Sequence, residues 1–142
     1  MKTKVLIFGL PGSGKTTIAE KLIAAVADAQ HINADAVRQT ANDWDFSTQG
    51  RIQQAHRMHQ LCEKSSNSLI VCDFVCPFQN ARDALFSTYF QVFVDTIKSS
   101  RFSDTNAIFE RPNYYDYCIT NFDQTDVFIK FIVDLVKSPC IV

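Results

Sequence analysis

The chain has 142 residues, 46% of them hydrophobic and 20% charged, and a formal net charge of -1. This size and composition predict one domain over residues 1–142 and exclude a disordered or fibrous chain. The small net charge argues against a nucleic-acid binder, because a phosphate backbone selects a surplus of Lys and Arg. No apolar run is long enough for a signal peptide or a membrane span, so we expect a cytoplasmic protein with no membrane contact.

The first predicted elements are a strand, a glycine-rich loop and a helix. Residues 4–9 (KVLIFG) are continuously apolar, as strands buried on both faces of a parallel sheet are. After the glycines, apolar residues recur at helical spacing from Ile18 to Val26. Residues 31–33 (HIN) then predict a short second strand, and the following ADAVRQTA predicts the start of a second helix.

The second half of the chain continues this alternation. Residues 49–65 predict a longer helix, and 68–73 (SLIVCD) predict the clearest buried strand after the first. Residues 84–96 contain the end of a short helix and then the strand YFQVFVD, and 114–120 (YYDYCIT) predict a weaker fifth strand. A wide apolar stripe defines a last helix, and we expect Asp123 to cap its start.

Strands that alternate with helices predict an α/β fold, here a three-layer sandwich. The central parallel sheet of about five strands would carry helices on both faces, joined by right-handed crossovers. The ligands of such sheets bind at the carboxyl ends of the strands, so the residues that follow each strand are the candidates for function.

The segment GLPGSGKT fits the phosphate-binding pattern G-x-x-x-x-G-K-[ST] at every fixed position. Glycines let successive backbone N–H groups turn toward phosphates, and the helix that follows directs its positive end at them. Lys15 would reach the β- and γ-phosphates of ATP, and the Thr16 hydroxyl would ligate Mg²⁺. With this motif between a strand and a helix, the predicted three-layer sandwich is of the P-loop NTPase type. The alternative is a glycine-rich turn without a ligand. We predict that the nucleotide-binding residues are Gly9, Leu10, Pro11, Gly12, Ser13, Gly14, Lys15, Thr16 and Thr17.

Two carboxylates follow predicted strands and are candidates for the chemistry. Asp73 ends an apolar strand in the manner of a Walker B aspartate, which would place it beside Mg²⁺; the alternative is a strand-end cap. Asp35 follows the second strand and would orient or deprotonate an acceptor hydroxyl; the alternative is that it caps the helix that starts at Ala36. With Lys15, these two carboxylates form the predicted catalytic group.

Arginines beyond Asp35 indicate an anionic acceptor. Arg38, Arg51 and Arg57 follow in the next two predicted helices, and a guanidinium binds phosphate or sulfate in bidentate fashion. The alternative is that they are solvated helix charges. Phe46 lies between them in the polar segment DWDFSTQG, where it would be a stacking platform for a base or a core anchor.

The cysteines and histidines indicate no metal site beyond Mg²⁺. Five cysteines occur without a CxxC pair, at Cys62, Cys72, Cys76, Cys118 and Cys140. Three of them lie in apolar runs, which favours buried reduced thiols over a disulfide framework or a metal site. His31, His56 and His59 lack the spacing of a metal-binding cluster.

Five segments, in order and spacing, resemble the adenylylsulfate (APS) kinase family: GLPGSGKTT, INADAVR, DFSTQGR, DFVCPFQNARD and VFVDT. The resemblance is close over residues 4–96 and looser beyond. It implies that the γ-phosphate of ATP passes to the ribose 3′-hydroxyl of APS, giving the sulfate donor PAPS, and it implies a homodimer. Arg38 and Arg51 would then bind the phosphosulfate. Asp35 would stand beside the reacting hydroxyl, and Phe46 would stack on the APS adenine.

The same resemblance extends the acceptor pocket and shows two departures. The further pocket residues that it implies are Gln54, Val75, Cys76, Pro77, Phe78 and Phe109. The family's DGD segment begins with Asp and Gly, where this chain has Asn33 and Ala34. The family's SFISPF segment begins with Ser, where this chain has Asp73. Our hypothesis is that a carboxylate on the Mg²⁺ side is lost at position 33 and regained at position 73.

The segment after VFVDT, about residues 97–113, reads as a shortened lid. The family continues here with a long lid containing KGFTGIDxPYExP, whose Lys and Phe close over the ligands. Phe109 and Pro112 match the Phe and Pro of that motif, but its lysine has no counterpart. Arg101 and Arg111 are the cations left to close on ATP, and Arg101 is predicted to bind it; the alternative is that both are surface charges.

Three functions remain open from the sequence. The first is an ATP-dependent APS kinase, as the resemblance implies. The second is a small P-loop kinase that acts on another nucleotide, a polynucleotide end or a phosphorylated metabolite. The third is a nucleotide-binding module without transfer activity, which Asn33 and the shortened lid suggest.

Overall fold

The computed structural model describes residues 2–137, and at its centre is a sheet of five parallel strands. The strands are β1 (Thr3–Phe8), β2 (Ala29–Asn33), β3 (Leu69–Asp73), β4 (Phe90–Val94) and β5 (Tyr117–Ile119). They lie in the order β2-β3-β1-β4-β5. The chain leaves β1 toward β2 on one side and leaves β3 toward β4 on the other, so a crevice opens beyond the carboxyl ends of β1 and β3.

Helices cover both faces of this sheet. The helices of the described region are α1 (Lys15–Ala24), α2 (Ala34–Ala41), α3 (Thr48–Lys64), α4 (Gln79–Leu85), α5 (Ser103–Ile108) and α6 (Thr125–Lys137). Val5 and Ile7 of β1 pack with α1 and α6 on one face, whereas Leu6 and Phe8 pack with α3 and α4 on the other. Alternate side chains of β1 enter opposite cores, which explains why the strand is apolar without interruption. The predicted three-layer α/β fold is confirmed.

Local details differ from the sequence-based expectations. β4 and β5 are shorter than the predicted strands, and α5 lies within the lid segment, where no helix was predicted.

The prediction that Asp123 caps the last helix is wrong. Asn121 accepts the Asp123 N–H at 2.9 Å and donates its own N–H to the Gln124 side chain at 3.2 Å. This capping box begins a short 3-10 turn, Phe122–Gln124, that leads directly into α6.

The cysteines of the described region are free thiols. Cys62, Cys72 and Cys76 are buried and Cys118 is half-buried, whereas Cys140 lies outside the described residues. Burial raises the pKa of Cys76 to about 12, so this thiol is protonated and unreactive at neutral pH.

None of the helices between residues 2 and 137 has the length and apolar character needed to cross a bilayer.

Arg82 fastens the loop after β3 to the segment after α5. Its side chain is fully buried and donates to the carbonyl oxygens of Cys76 and Glu110, both at 2.6 Å. The guanidinium carbon lies 4.7 Å from the ring centroid of Phe8. Cys76 has a φ of 44°, a conformation that is unfavourable for a residue with a side chain and persists because its surroundings hold it. Arg82 therefore holds the residues that follow Asp73 against the sheet.

We expect Arg82→Met to lower the free energy of unfolding by roughly 3 kcal/mol, because two buried carbonyl groups lose their donor. Urea unfolding followed by circular dichroism measures the change. Lys130→Met is the matched control, because Lys130 is an exposed residue of α6 whose ammonium lies 3.6 Å from Asp134; its effect should stay within about 0.5 kcal/mol. Equal effects of the two substitutions would contradict the role given to Arg82.

Candidate active site

A cavity of about 450 Å³ opens at the carboxyl ends of the strands. The predicted site residues that line it are Pro11, Gly12, Lys15, Thr16, Asp35, Phe46, Arg51, Asp73, Val75 and Arg101. The other lining residues are Asn33, Ala34, Phe74, Phe102, Asp104 and Thr105. Residues of the phosphate loop and residues of the predicted acceptor side thus share one space.

Glycines and one threonine shape the phosphate loop. Gly12 and Gly14 have φ values of 80° and 102°, in the region that residues with a side chain rarely adopt. Gly14 directly precedes α1, and a Cβ there would come within 2.5 Å of the Phe122 ring. Thr96 Oγ1 donates to the Ser13 carbonyl oxygen at 2.6 Å. This contact ties the loop to the end of β4.

Lys15 supplies a buried positive charge beside the loop. The residue is 8% exposed, and its Nζ donates to the Leu10 carbonyl oxygen at 2.9 Å. Burial lowers the pKa of Lys15 to about 8, although the nearby carboxylates of Asp73 and Asp35 act in the opposite direction. A desolvated ammonium gains much from an anionic partner, so Lys15 is suited to phosphate oxygens.

The carboxylate of Asp73 is buried at the end of β3 and is surrounded by donors. His31 Nε2 lies 2.6 Å from Asp73 Oδ2, and Asn33 Nδ2 lies 3.1 Å from the same oxygen. Thr16 Oγ1 lies 3.4 Å from both carboxylate oxygens. Asn33 and Asp73 are direct partners in the register of β2 and β3. The structure thus brings the two predicted Mg²⁺ ligands, Thr16 and Asp73, together.

The side-chain amide of Asn33 contacts three neighbours, because Nδ2 lies 3.4 Å from Thr16 Oγ1 in addition to its contact with Asp73. Asn33 Oδ1 accepts the Ala36 N–H at 3.1 Å and caps α2, which directs Nδ2 to Asp73. Asp35 therefore does not cap α2; it is exposed in the first turn and lines the cavity. An Asp at position 33 would bring a second negative charge against Asp73, and the two carboxylates would repel one another unless a cation or a proton lay between them. One carboxylate is enough to place a negative charge in this region.

Thr16 and Asp73 fit Mg²⁺ bound together with a nucleotide. Mg²⁺ prefers oxygen ligands, and it commonly takes one or two protein carboxylates while phosphates and waters complete its shell. The hydroxyl and the carboxylate lie 3.4 Å apart next to the phosphate loop. Between residues 2 and 137, no group of three or more His, Cys, Asp or Glu side chains could hold a metal alone. The donor set therefore suits an ion that phosphate oxygens also bind.

Phe46 is the exposed aromatic residue of the acceptor side. It is 49% exposed and lines the cavity, so it is not a core anchor. The guanidinium carbon of Arg38 lies 4.2 Å from its ring centroid, and that of Arg51 lies 5.4 Å away. These cation–π contacts hold the ring in place and leave it accessible to a planar ligand.

Arg38 and Arg51 are both buried, but only Arg51 lines the cavity. Arg38 Nη1 donates to the carbonyl oxygens of Asp43 and Asp45, at 3.0 and 3.2 Å. Arg51 Nε donates to the carbonyl oxygen of Phe46 at 2.8 Å. Arg38 thus orders the loop that carries the aromatic ring, whereas Arg51 borders the space that a ligand would occupy.

Helix α5 and the residues before it form a wall of the cavity. Arg51 Nη2 donates to Thr105 Oγ1 at 3.1 Å and lies 3.4 Å from Asp104 Oδ2. Thr105 is only 4% exposed, whereas the Asp104 side chain is 71% exposed. Arg101 and Phe102 also line the cavity. The shortened lid therefore lies against the acceptor-side arginine.

Other predicted site residues lie outside the cavity lining. They are Gly9, Leu10, Ser13, Gly14, Thr17, Arg38, Gln54, Cys76, Pro77, Phe78 and Phe109. Gln54 supports the start of α2, because its Nε2 donates to the Ala34 carbonyl oxygen at 3.2 Å. Phe109 packs on Phe93 of the core, with ring centroids 6.1 Å apart. Gln54 and Phe109 therefore support the elements around the cavity without lining it.

Arg111, the second candidate cation of the lid, is engaged elsewhere. It forms a bidentate pair with Asp95 through N–O distances of 2.9 and 3.2 Å. The Asp95 carboxylate raises the pKa of Arg111 through this hydrogen-bonded contact. Of the two arginines, Arg101 is the one that lines the cavity.

Comparison with known proteins identifies the family of this chain. The family model described as adenylylsulphate kinase matches residues 1–114. The chain belongs to the adenylylsulphate kinase family. It is an ATP-dependent phosphotransferase with a nucleotide-binding P-loop. No curated protein matches the chain significantly.

Several solved kinases share the fold of this adenylylsulphate kinase family member. The Mycobacterium tuberculosis APS kinase in complex with AMPPNP and APS has a TM-score of 0.78 and 21% identity, covering 96% of this chain and 98% of that one. The hexameric APS kinase from Thiobacillus denitrificans has a TM-score of 0.75 and 18% identity, covering 96% of this chain and 29% of that one. Shikimate kinase from Aquifex aeolicus has a TM-score of 0.67 and 13% identity, covering 96% and 97%. These likenesses establish a P-loop kinase fold.

Sequence reasoning missed His31 and the α5 wall of this family member. His31 has no metal-ligand spacing in the sequence, yet it lies two residues before Asn33 and so leaves β2 on the same face. That alternation was the available signal. Asp104 and Thr105 had no such signal, because they lie 53 and 54 residues away from Arg51 in the chain.

The lowered pKa of Lys15 should make nucleotide binding by this kinase pH-dependent. In the free site Lys15 loses its proton as the pH rises through about 8, and the charged form is the one that attracts phosphate. We therefore expect the affinity for ADP to fall above pH 8. Because phosphate raises the pKa of Lys15, binding at that pH should take up about half a proton per ADP.

Isothermal titration without metal, in two buffers that differ in ionisation enthalpy, measures this proton uptake. Lys15→Arg is the matched control, because a guanidinium stays charged throughout and should abolish the uptake. The same uptake in the wild type and in Lys15→Arg would show that another group is responsible.

Proposed function

We propose that this kinase transfers the γ-phosphate of ATP to the 3′-hydroxyl of APS and releases ADP and PAPS. One observation carries the proposal: a single cavity is lined by two phosphate-loop residues and three acceptor-side residues, namely Lys15, Thr16, Asp35, Phe46 and Arg51. The first two suit the phosphates of MgATP. The other three suit a nucleotide that presents a hydroxyl, a base and an anionic group. Membership of the adenylylsulphate kinase family supports the same acceptor.

The nucleotide side would hold the triphosphate between the loop backbone and Lys15. The ammonium of Lys15 would leave its contact with Leu10 and donate to phosphate oxygens, where it stabilises the charge that develops on the departing ADP. Thr16 and Asp73 would hold Mg²⁺, which when bound neutralises the β- and γ-phosphates. Arg101 would add a second cation from the lid side of the cavity.

Asp35 is the candidate partner of the acceptor hydroxyl, because it is exposed to the cavity and is not used as a helix cap. In the transfer, the hydroxyl oxygen forms a bond to the γ-phosphorus, and the bond from that phosphorus to the bridging oxygen breaks. The hydroxyl proton passes to the Asp35 carboxylate. Correct positioning of the two substrates would supply much of the rate.

Phe46 and Arg51 are the candidate recognition groups for APS. The exposed ring of Phe46 would stack on the adenine. Within residues 2–137, Arg51 Nη1 has no protein partner, so one donor edge is available to the phosphosulfate. Arg38 would act indirectly by holding the loop that presents Phe46.

A second acceptor class is favoured by one observation, the carboxylate of Asp104 beside Arg51. The pair is 3.4 Å apart, and Asp104 reduces the positive charge that an acceptor would meet there. A nucleotide or phosphorylated metabolite with less negative charge than APS would tolerate this carboxylate better. The second candidate function is therefore the same phosphoryl transfer to such an acceptor.

Incubation with MgATP and a panel of acceptors tests the proposal: APS, AMP, adenosine and a single-stranded oligonucleotide. We expect APS to be phosphorylated, with PAPS identified by mass spectrometry, and Asp35→Asn to lower kcat about 100-fold. Asp134→Asn is the matched control, because that carboxylate lies on the exposed side of α6. Phosphorylation of another acceptor while APS remains intact would replace the first candidate by the second.

We expect Asp104→Asn to lower the KM for APS about threefold with little change in kcat, because Arg51 loses a competing anion. Steady-state kinetics with APS as the varied substrate measures the change. Asp123→Asn serves as the control, because it removes an exposed carboxylate from a residue outside the cavity lining. A higher KM in Asp104→Asn would show that Asp104 assists the acceptor instead of competing with it.

A further inference from the structure

We propose that His31 is a positioning residue that fixes the Asp73 carboxylate for the metal–nucleotide complex. The inference rests on the proposed place of Asp73 beside Mg²⁺·ATP and adds a residue to it. Its basis is a hydrogen-bond arrangement in which two nitrogen donors, from His31 and Asn33, meet on one oxygen of Asp73, whereas Thr16 Oγ1 lies equally close to both oxygens.

The contact between His31 and Asp73 is short and shielded from water. His31 Nε2 lies 2.6 Å from Asp73 Oδ2, and the two side chains are 19% and 3% exposed. A carboxylate accepts hydrogen bonds, so Nε2 carries the hydrogen and donates it. A short bond to a charged acceptor in a buried place is among the stronger hydrogen bonds in proteins.

The donors around Asp73 are distributed unevenly between its two oxygens. Oδ2 accepts from both His31 and Asn33, at 2.6 and 3.1 Å. In the described part of the chain Oδ1 has one contact, with Thr16 Oγ1 at 3.4 Å, and the same hydroxyl lies 3.4 Å from Oδ2. Two donors on one oxygen fix the rotation of the carboxylate about its last side-chain bond. Within residues 2–137 Oδ1 has no nitrogen donor, so it stays open to a metal that Thr16 would share.

The other groups near Asp73 make this fixation necessary. Lys15 is close enough for its charge and that of Asp73 to influence one another. Without His31 the carboxylate could turn toward the ammonium and withdraw from Thr16. Removal of an outer hydrogen bond that orients a metal-binding carboxylate commonly lowers metal affinity about 10- to 100-fold. Without His31, the nitrogen donor left on Oδ2 within residues 2–137 is the amide of Asn33, at the longer distance of 3.1 Å.

Metal binding to the ADP complex tests this role without any acceptor. Mn²⁺ replaces Mg²⁺ as the probe, because it takes similar oxygen ligands and its free concentration is measured by electron paramagnetic resonance. For His31→Ala at saturating ADP we expect an affinity for Mn²⁺ lowered about tenfold, and an affinity for ADP without metal within about twofold of the wild type. His31→Gln retains an N–H donor near the place of Nε2 and should recover most of the loss.

Two further variants make the test specific. His56→Ala removes an exposed histidine of α3 and should leave the Mn²⁺ affinity unchanged. Asp73→Asn should weaken Mn²⁺ at least as much as His31→Ala does. If His31 acts through Asp73, adding His31→Ala to Asp73→Asn should cause no further loss. Urea unfolding of each variant establishes that the folded protein is being measured.

Each outcome decides the inference. Wild-type Mn²⁺ affinity in His31→Ala, with a loss in Asp73→Asn, would refute the role of His31 and leave the proposed metal ligand in place. Unchanged affinity in Asp73→Asn would refute the proposed ligand and this inference with it. Additive losses in the double variant would show that His31 acts independently of Asp73. Because APS is absent throughout, the identity of the acceptor affects none of these results.

Discussion

Asp73 places a charge inside the protein at the end of a central strand, and the site is arranged around it. The residue is 2% exposed, and a buried carboxylate is stable only where donors surround it. Its donors come from separate parts of the chain: Thr16 lies in the first turn of α1, whereas His31 and Asn33 lie in β2. The sheet order brings them together, because β3 lies between β1 and β2. The carboxylate that we assign to the metal thus contacts both the start of α1 and β2.

Our hypothesis that the metal-side carboxylate has moved from position 33 to position 73 requires no change of fold. The two residues are paired in register on neighbouring parallel strands, so a carboxylate on either one reaches the same region. Charge at both positions would be repulsive, and charge at neither would leave the metal side without a carboxylate. With Asn33 the helix cap is kept, because an amide oxygen caps α2 as a carboxylate oxygen would.

Local patterns predicted most of the fold and the nucleotide side of the site. The phosphate loop is one contiguous motif, so a single sequence predicts it. The strand before the loop and the strand at 68–73 are apolar without interruption, so they are predicted in the same way. The cap at Asp123 was mispredicted because the helical turns begin earlier, at the capping box of Asn121, which places Asp123 inside the first turn. The acceptor side depends on contacts between distant segments. Arg38 and Arg51 look alike in sequence, and only the carbonyl groups within their reach distinguish them.

The short lid is fastened at both ends. Thr96 holds its beginning to Ser13 of the phosphate loop, and the Arg111–Asp95 pair holds its end to the end of β4. Arg101 is therefore carried on a tether whose two ends stay at the site. A group held on a short tether has an effective concentration of about a millimolar or more near its target. Such a loop keeps a cation close to the phosphates without a long arm, and it limits how far Arg101 can withdraw when products leave.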